Sequence, residues 1–177
     1  MIIKPHEIEK LNLSKNKFFL FYGENQGHKD QIINSNFKKI FLKNTYMFEE
    51  TEILANIKSF FDQILSRSFF EKEKLIIINR ATDKIKTILE EIIDKDIEDL
   101  VIVLNSNSLE KKSKIRSLFE KNKNTYCVPF YEDNHQTLNS IISLFFRNKK
   151  IPISQQLINV LIERSRGDRK NLKNELE

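Results

Sequence analysis

The chain has 177 residues, 40% of them hydrophobic and 31% charged, with three glycines, three prolines and one cysteine. This is enough apolar content for a packed core and too little Gly and Pro for a flexible linker. A single cysteine excludes an internal disulfide, and no apolar run approaches the roughly 20 residues that span a bilayer. Residues 1–17 hold no secretory signal pattern, and a cytoplasmic protein fits all of this. The net charge of +5 is uneven: Lys and Arg number 22 against 21 Asp and Glu in residues 1–133, but 8 against 4 in residues 134–177. Such a surplus is compatible with nucleic acid nearby, although a solvated helix face explains it more simply.

Residues 1–16 read as an opening helix or coil with a few apolar anchors. Phe18-Phe19-Leu20-Phe21-Tyr22 is a continuous apolar run ended by Gly23, the pattern of a strand buried on both faces. Ile33, Phe37, Ile40 and Phe41 then fall at helical spacing, and Thr45-Tyr46-Met47-Phe48 is a second, weaker strand. Thr51 is an N-cap candidate for a helix whose stripe is Ile53, Leu54, Ile57, Phe60, Phe61, Ile64 and Leu65. Ser68 breaks the stripe and is followed by Phe69 and Phe70. Adjacent helical positions point about 100° apart, so both rings cannot extend the stripe that ends at Leu65. Two readings stay open from periodicity: the pair closes the core at a helix end, or it plugs a partner's apolar pocket.

Leu75–Ile78 is a third strand. Ile85, Ile88, Leu89, Ile92 and Ile93 mark a helix, and Leu100-Val101-Ile102-Val103-Leu104 is the clearest strand of all. Asn107 and Glu110 have the spacing of a capping box for a helix through Ile115, Leu118 and Phe119. Tyr126–Phe130 is a fifth strand, and Pro129 marks it as an edge or an end. Cys127, inside this run, reads as a small buried residue. The alternation predicts an α/β fold, a five-stranded mostly parallel sheet with flanking helices, over residues 1–133. Residues 134–177 carry only helical patterns, around Leu138, Ile141, Ile142, Phe145 and Phe146, and around Leu157, Ile158 and Leu161 after an Ser154 cap. A last helix follows Gly167-Asp168. The expectation is a small, incomplete helical domain.

A strand ending in Gly and leading into a helix is where a phosphate loop sits in such folds. A working loop has four residues between its glycines, then Lys and a hydroxyl residue. Here Gly23, Glu24, Asn25, Gln26, Gly27, His28, Lys29 and Asp30 have three, with Lys29 displaced and Asp30 in place of the hydroxyl. Glu24 would set a negative charge against phosphate. The third strand ends in Asn79-Arg80 instead of the acidic residues that hold magnesium. No catalytic residue, nucleotide site, metal or cofactor is therefore expected. His6, His28 and His135 have no ligand spacing. Asn105, Ser106 and Asn107 suit turn duty, and Arg164, Arg166, Arg169 and Lys170 read as a solvated face.

Several of these features occur together: a Gly-Glu loop in place of a phosphate loop, Ser-Phe-Phe before a charged turn, a Leu-Val-Ile-Val-Leu-Asn strand, and a late Ser-Arg-Gly-Asp segment before Leu-Lys-Asn-Glu-Leu-Glu. In this combination the chain resembles the bacterial DNA polymerase III delta subunit, N-terminal part, the clamp-loader component that opens the sliding clamp. The resemblance implies a core of the ATPase-associated (AAA+) type over 1–133 and a helical lid beginning at 134, with the chain stopping inside the lid and before the collar. It implies a non-catalytic subunit of a polymerase (nucleotidyltransferase) holoenzyme. Its partners would be the sliding clamp, other loader subunits through the collar, and DNA in the assembled complex, with no membrane. Ser68, Phe69 and Phe70 match the family's clamp-binding Ser-Leu-Phe, with Phe69 in place of Leu. Two other functions are carried as alternatives, a divergent phosphate-loop ATPase and a basic DNA-binding module.

Overall fold

The computed structural model describes residues 1–13, 15, 17–42, 44–66, 73–95, 97 and 99–177. After a 3-10 turn at Pro5–Lys10, the elements in chain order are β1 (Phe18–Tyr22), α1 (Gln26–Ile32), a π-helical stretch (Ile33–Lys38), α2 (Lys39–Phe41), β2 (Thr45–Glu49), α3 (Glu50–Ala55) and α4 (Ile57–Leu65). They continue through β3 (Lys74–Asn79), α5 (Lys86–Lys95), β4 (Leu100–Asn105), α6 (Lys114–Lys121), β5 (Thr125–Pro129), α7 (His135–Asn148), α8 (Gln155–Ser165) and α9 (Arg169–Leu176). No helix among the described residues is long and apolar enough to cross a membrane.

The chain divides into two compact units. The first comprises Met1–Gly23 and Ile32–Pro129, the second Glu24–Gln31 and Phe130–Glu177. In the first unit the strands form one sheet in the order β2-β3-β4-β1-β5. Every pairing is parallel, beyond the mostly parallel expectation. The three inner strands are the three continuous apolar runs, because a strand covered on both faces has no position that must be polar. All five residues of β1 and all six of β4 are buried. Polar or exposed positions appear at the edges: β2 exposes Tyr46 and Met47, and β5 carries Pro129 at its end.

Alternation along β1 sends its side chains to opposite faces. Phe18, Leu20 and Tyr22 join Phe60, Ile64, Ile88, Leu89, Ile92, Ile115 and Phe119 in one core. Phe19 and Phe21 point the other way and meet Phe37 edge-on, with ring centroids 5.1 and 5.8 Å apart. Cys127 is buried as anticipated, and burial, with Glu120 adding to it, pushes its thiol up to about 12.

Three local expectations give way. The helix expected from 53 to 65 is two helices, because Asn56 leaves helical geometry and its side chain accepts the Ser59 N–H at 3.0 Å, capping α4. The cap of α3 is Glu49, not Thr51; the Glu49 N–H donates to Glu52 Oε2 at 3.0 Å. The helix after β4 starts at Lys114 under a Ser113 cap. Asn107 instead gives its carbonyl to the Gly23 N–H at 3.2 Å, which keeps it in the turn.

In the second unit α7, α8 and α9 enclose Leu138, Ile142, Ile158, Ile162 and Leu172. Each helix has a side-chain cap: Asn134 accepts from the Thr137 N–H, Ser154 from Leu157 and Asp168 from Asn171. The Ser154 cap is the one the sequence pointed to.

Candidate functional site

Gly23 ends β1 at φ 116°, a backbone conformation open to glycine and strained for other residues. The loop that follows belongs to the second unit, and its backbone donors are already used. The Asn25 N–H reaches the Phe130 carbonyl at 3.4 Å, Gln26 the Glu24 carbonyl at 2.7 Å and Lys29 the Asn25 carbonyl at 3.1 Å. The His28 N–H donates to Asn25 Oδ1 at 3.0 Å. A phosphate loop works by aiming such N–H groups at an anion; here four of them have protein acceptors. Lys29 is 1% exposed, and burial, opposed by Asp30, lowers its pKa to about 8. Glu24 is exposed.

Gly27 carries a close backbone approach within the second unit. A Cβ built there would stand 2.7 Å from the Lys170 nitrogen and 3.2 Å from Arg169 atoms. Only a hydrogen side chain lets the first turn of α9 lie against the loop. Arg169 then grips Asp133 in a two-pronged pair, Nε to Oδ2 at 2.7 Å and Nη2 to Oδ1 at 2.5 Å, and donates to Gln31 Oε1 at 3.2 Å. Asn25 Nδ2 adds bonds to Asp133 Oδ2 at 2.9 Å and the Tyr131 carbonyl at 3.0 Å. The two ion-pair side chains are only 11% and 5% exposed, so Arg169 is not on the solvated face expected of it. Burial alone would raise the Asp133 carboxyl, but hydrogen bonds from Arg169 and Asn25, with the nearby positive charge, hold it below its ordinary value. His28, edge-on to Phe130 at 5.1 Å, is pulled down to about 4, first by burial and then by the Arg169 charge, against a smaller pull from Asp133. Asp133, Asn25 and Arg169 form a cluster that sequence reasoning missed, since 36 residues separate the ion pair and no periodic pattern links them. The glycine at 27 was the available signal of a close backbone approach.

In the first unit, the C-terminal ends of β3 and β4 are also closed by local bonds. Asn105 Nδ2 donates to Asn79 Oδ1 at 3.2 Å, and Ser106 Oγ to the Ala81 carbonyl at 2.7 Å. Arg80 pairs with Glu49 at 2.7 Å. Glu50, 5% exposed, accepts from the Thr82 N–H at 2.7 Å and its hydroxyl at 2.8 Å. Ser106 lies just past the strand as expected, whereas Asn105, expected in the turn, is the last residue of β4, and its side chain bridges to β3.

Ser68, Phe69 and Phe70 lie outside the described residues. Their flanks are defined. Lys74, 8% exposed at the start of β3, donates to the carbonyls of Ser66 and Gln63 and to Ser66 Oγ, the last two at 3.4 and 3.2 Å. The C-terminal turn of α4 is thus tied to the first residue of β3. Ile57 and Leu65 on α4 are exposed, while Ile53, Phe60 and Ile64 are buried. The stripe read from sequence is therefore narrower than its seven apolar positions.

No protein-family model and no curated protein sequence matches the chain. Solved structures do. The Bacillus subtilis DNA clamp loader delta protein (YqeN) is similar at a TM-score of 0.67 and 14% identity, over 97% of this chain and 54% of that one. Thermotoga maritima RuvB, a Holliday junction branch migration motor, is similar at 0.55 and 12% identity over 90% of this chain and 53% of that one. Domain III of the Thermotoga maritima replication initiation protein DnaA is similar at 0.50 and 11% identity, covering 96% and 77%. The chain spans about half the length of the clamp loader protein it matches. With its all-parallel five-stranded sheet and flanking helices, it shares the α/β fold of these solved structures, in agreement with the fold class expected from the sequence.

Proposed function

We propose that the chain is a non-catalytic clamp-loader subunit of the DNA polymerase III delta type that binds the sliding clamp and helps to open it. The observation that carries this reading is a likeness along nearly the whole chain to a clamp loader delta protein, on a scaffold whose loop donors at positions 25, 26, 28 and 29 are taken up internally. In this reading residues 1–133 are the AAA+-type core and residues 134–177 begin the helical lid. Ser68, Phe69 and Phe70 stand between α4 and β3 as the clamp anchors. Other loader subunits and DNA complete the assembly, and ATP-driven work falls to those subunits.

Opening is a matter of differential affinity. A ligand moves a closed ring toward its open form only as far as it binds the open form better. Two adjacent aromatic rings suit such a task, because buried aromatic anchors carry a large share of interface energy. The test is direct mixing with the sliding clamp of the same source, read by size-exclusion chromatography with light scattering. A stoichiometric complex is expected. A chain that ignores the clamp but binds ATP saturably with magnesium would replace this reading with a divergent ATPase.

A further inference from the structure

One margin of the sheet has no chain hydrogen-bonded along it among the described residues. Beside β5 the Ile3 N–H and the Met1 carbonyl bond to Cys127, so that margin is occupied. At the other margin β2 pairs only with β3. The bond from the Leu75 N–H to the Asn44 carbonyl sets which backbone groups that pairing uses. In a strand the N–H and C=O of one residue point to the same side, and those of the next residue to the other. Asn44, Tyr46 and Phe48 therefore face β3, while Thr45, Met47 and Glu49 turn their backbone groups outward. The Glu49 N–H is held by Glu52 Oε2. The N–H groups of Thr45 and Met47 have no strand beside them among the described residues.

The residues of β2 complement a second copy of themselves. Met47 is the middle of the five residues Thr45–Glu49. When a second β2 runs antiparallel about that residue, Met47 opposes Met47, Tyr46 opposes Phe48 and Thr45 opposes Glu49. Aromatic pairs are favourable across strands, and alternation puts Tyr46 on the face where Phe48 meets Phe60 at 5.2 Å. Met47 is exposed at this edge and supplies an adaptable apolar contact. No carboxylate meets a carboxylate in this register, whereas a pairing centred on Glu49 would set two against each other and be destabilised. Thr45 Oγ1 is the one buried side-chain oxygen or nitrogen among the described residues that has no hydrogen-bond partner. Glu49 of the second copy brings a carboxylate to its side, with acceptor sites beyond the one that Arg80 uses.

We propose that β2 is a self-recognition edge, through which two copies of this chain join antiparallel about Met47 and make their two sheets continuous. The Met47 N–H and C=O exchange bonds across the two-fold axis, and Thr45 sets its N–H opposite the Glu49 carbonyl of the other copy. With the β5 margin occupied, each copy has one open edge, so the contact is isologous and closes at a dimer. A pairing of five residues falls below the roughly 1,200 Å² of a standard interface, so the dimer is reversible and depends on concentration. The pairing does not depend on the clamp reading, and its test contains no clamp.

The experiment is sedimentation equilibrium of the full chain at concentrations up to about 1 mM. A reversible dimer is expected, with a Kd on the order of 10 µM to 1 mM, the weak end of specific association. Met47→Lys sets like charges across the axis and is expected to weaken dimerisation at least about tenfold, as is Met47→Glu. Mixing these two variants is expected to restore a one-to-one heterodimer at least as tight as the parent dimer, because each Met47 faces its own copy. Leu144→Lys, at an exposed apolar position of the second unit, is expected to leave the dimer unchanged. Circular dichroism melts establish that each variant is folded. Should a charged variant misfold, Met47→Cys gives a second reading. Opposed Cα atoms of a bonded pair lie about 5.5 Å apart, within disulfide reach, and Cys127 is buried, so oxidised glutathione is expected to lock a covalent dimer through position 47. A parent that is monomeric at every concentration, growth beyond a dimer, no heterodimer in the mixture, no cross-link, or equal weakening by Leu144→Lys overturns the proposal. A monomeric parent that binds an extended peptide of alternating Thr and Val would assign the edge to a foreign strand instead.

Discussion

At Gly27 one methyl group would decide how closely a loop and the first turn of α9 approach. Its clash would be with backbone, the Lys170 nitrogen at 2.7 Å, and backbone cannot swing aside as a flexible side chain can. Overpacking of this kind costs about 1–3 kcal/mol. Gly27→Ala is expected to destabilise the second unit by that amount, seen as lost amide protection in α9 by hydrogen exchange. Protection equal to the parent would reject the packing. His28, one residue on, offers a second measurement. With its pKa lowered to about 4, the folded ring stays neutral where the unfolded ring, near 6.5, already holds a proton. The unfolded state binds more protons between those values, so stability rises with pH across about 4 to 6.5 and falls on acidification. An NMR titration should place the His28 midpoint near 4; a midpoint near 6.5 would show an open, hydrated loop.

At the scale of elements, the three inner strands were legible because burial on both faces leaves an unbroken apolar run. The break between α3 and α4 was not, because apolar spacing continues across it while Asn56 redirects the backbone through its own side chain. Periodicity reports which positions are apolar, not which of them are covered, and Ile57 and Leu65 stay exposed for that reason. Phe60, 2% exposed, is the proper core reference for the aromatic pair that follows α4. Phe60→Ala should cost the fold about 3–5 kcal/mol, while its remaining folded fraction still binds clamp. Phe69→Ala with Phe70→Ala should leave the melting temperature nearly unchanged and weaken clamp binding by roughly 30- to 1000-fold, the equivalent of about 2–4 kcal/mol. Paired melts and clamp titrations separate the two. A double variant that melts far lower places these rings in the core and removes them from the site.

For the whole molecule, the sequence argued against nucleotide chemistry from missing residues, and the structure adds where the remaining ones went. Arg169 was legible as a cation but not as the partner of Asp133, since an ion pair leaves no trace in local pattern. Likewise the departures of Glu24 and Asp30 from a working loop could be read directly, whereas the occupancy of the loop N–H groups needed coordinates. Calorimetry with magnesium and ATP is expected to give no micromolar site, because an incoming phosphate would have to displace acceptors at four backbone donors. Measured saturation in that range would mean the loop reorganises on binding. Strand order was a further limit. Alternation of strands and helices implies parallel pairing, but which strands become neighbours depends on contacts between residues such as Leu20 and Leu104, far apart in sequence and equal in kind to many others.

The two margins of the sheet differ in what they offer a foreign chain. Beside β5, the Ile3 N–H donates to the Cys127 carbonyl at 3.0 Å, and the Cys127 N–H to the Met1 carbonyl at 2.8 Å. The first residues thus act as a hem sewn along that margin. Among the described residues β2 pairs only with β3 and leaves Met47 54% exposed, so its outer side remains a template on which another strand can grow. Cutting away residues 1–3 would give the sheet a second such template, and a particle able to recruit strands on both sides can polymerise rather than merely dimerise. The shortened chain should therefore show scattering that rises with concentration and time, where the parent grows no further than a dimer. A truncated chain that remains as monodisperse as the parent would mean that Pro129 alone suffices to guard that side.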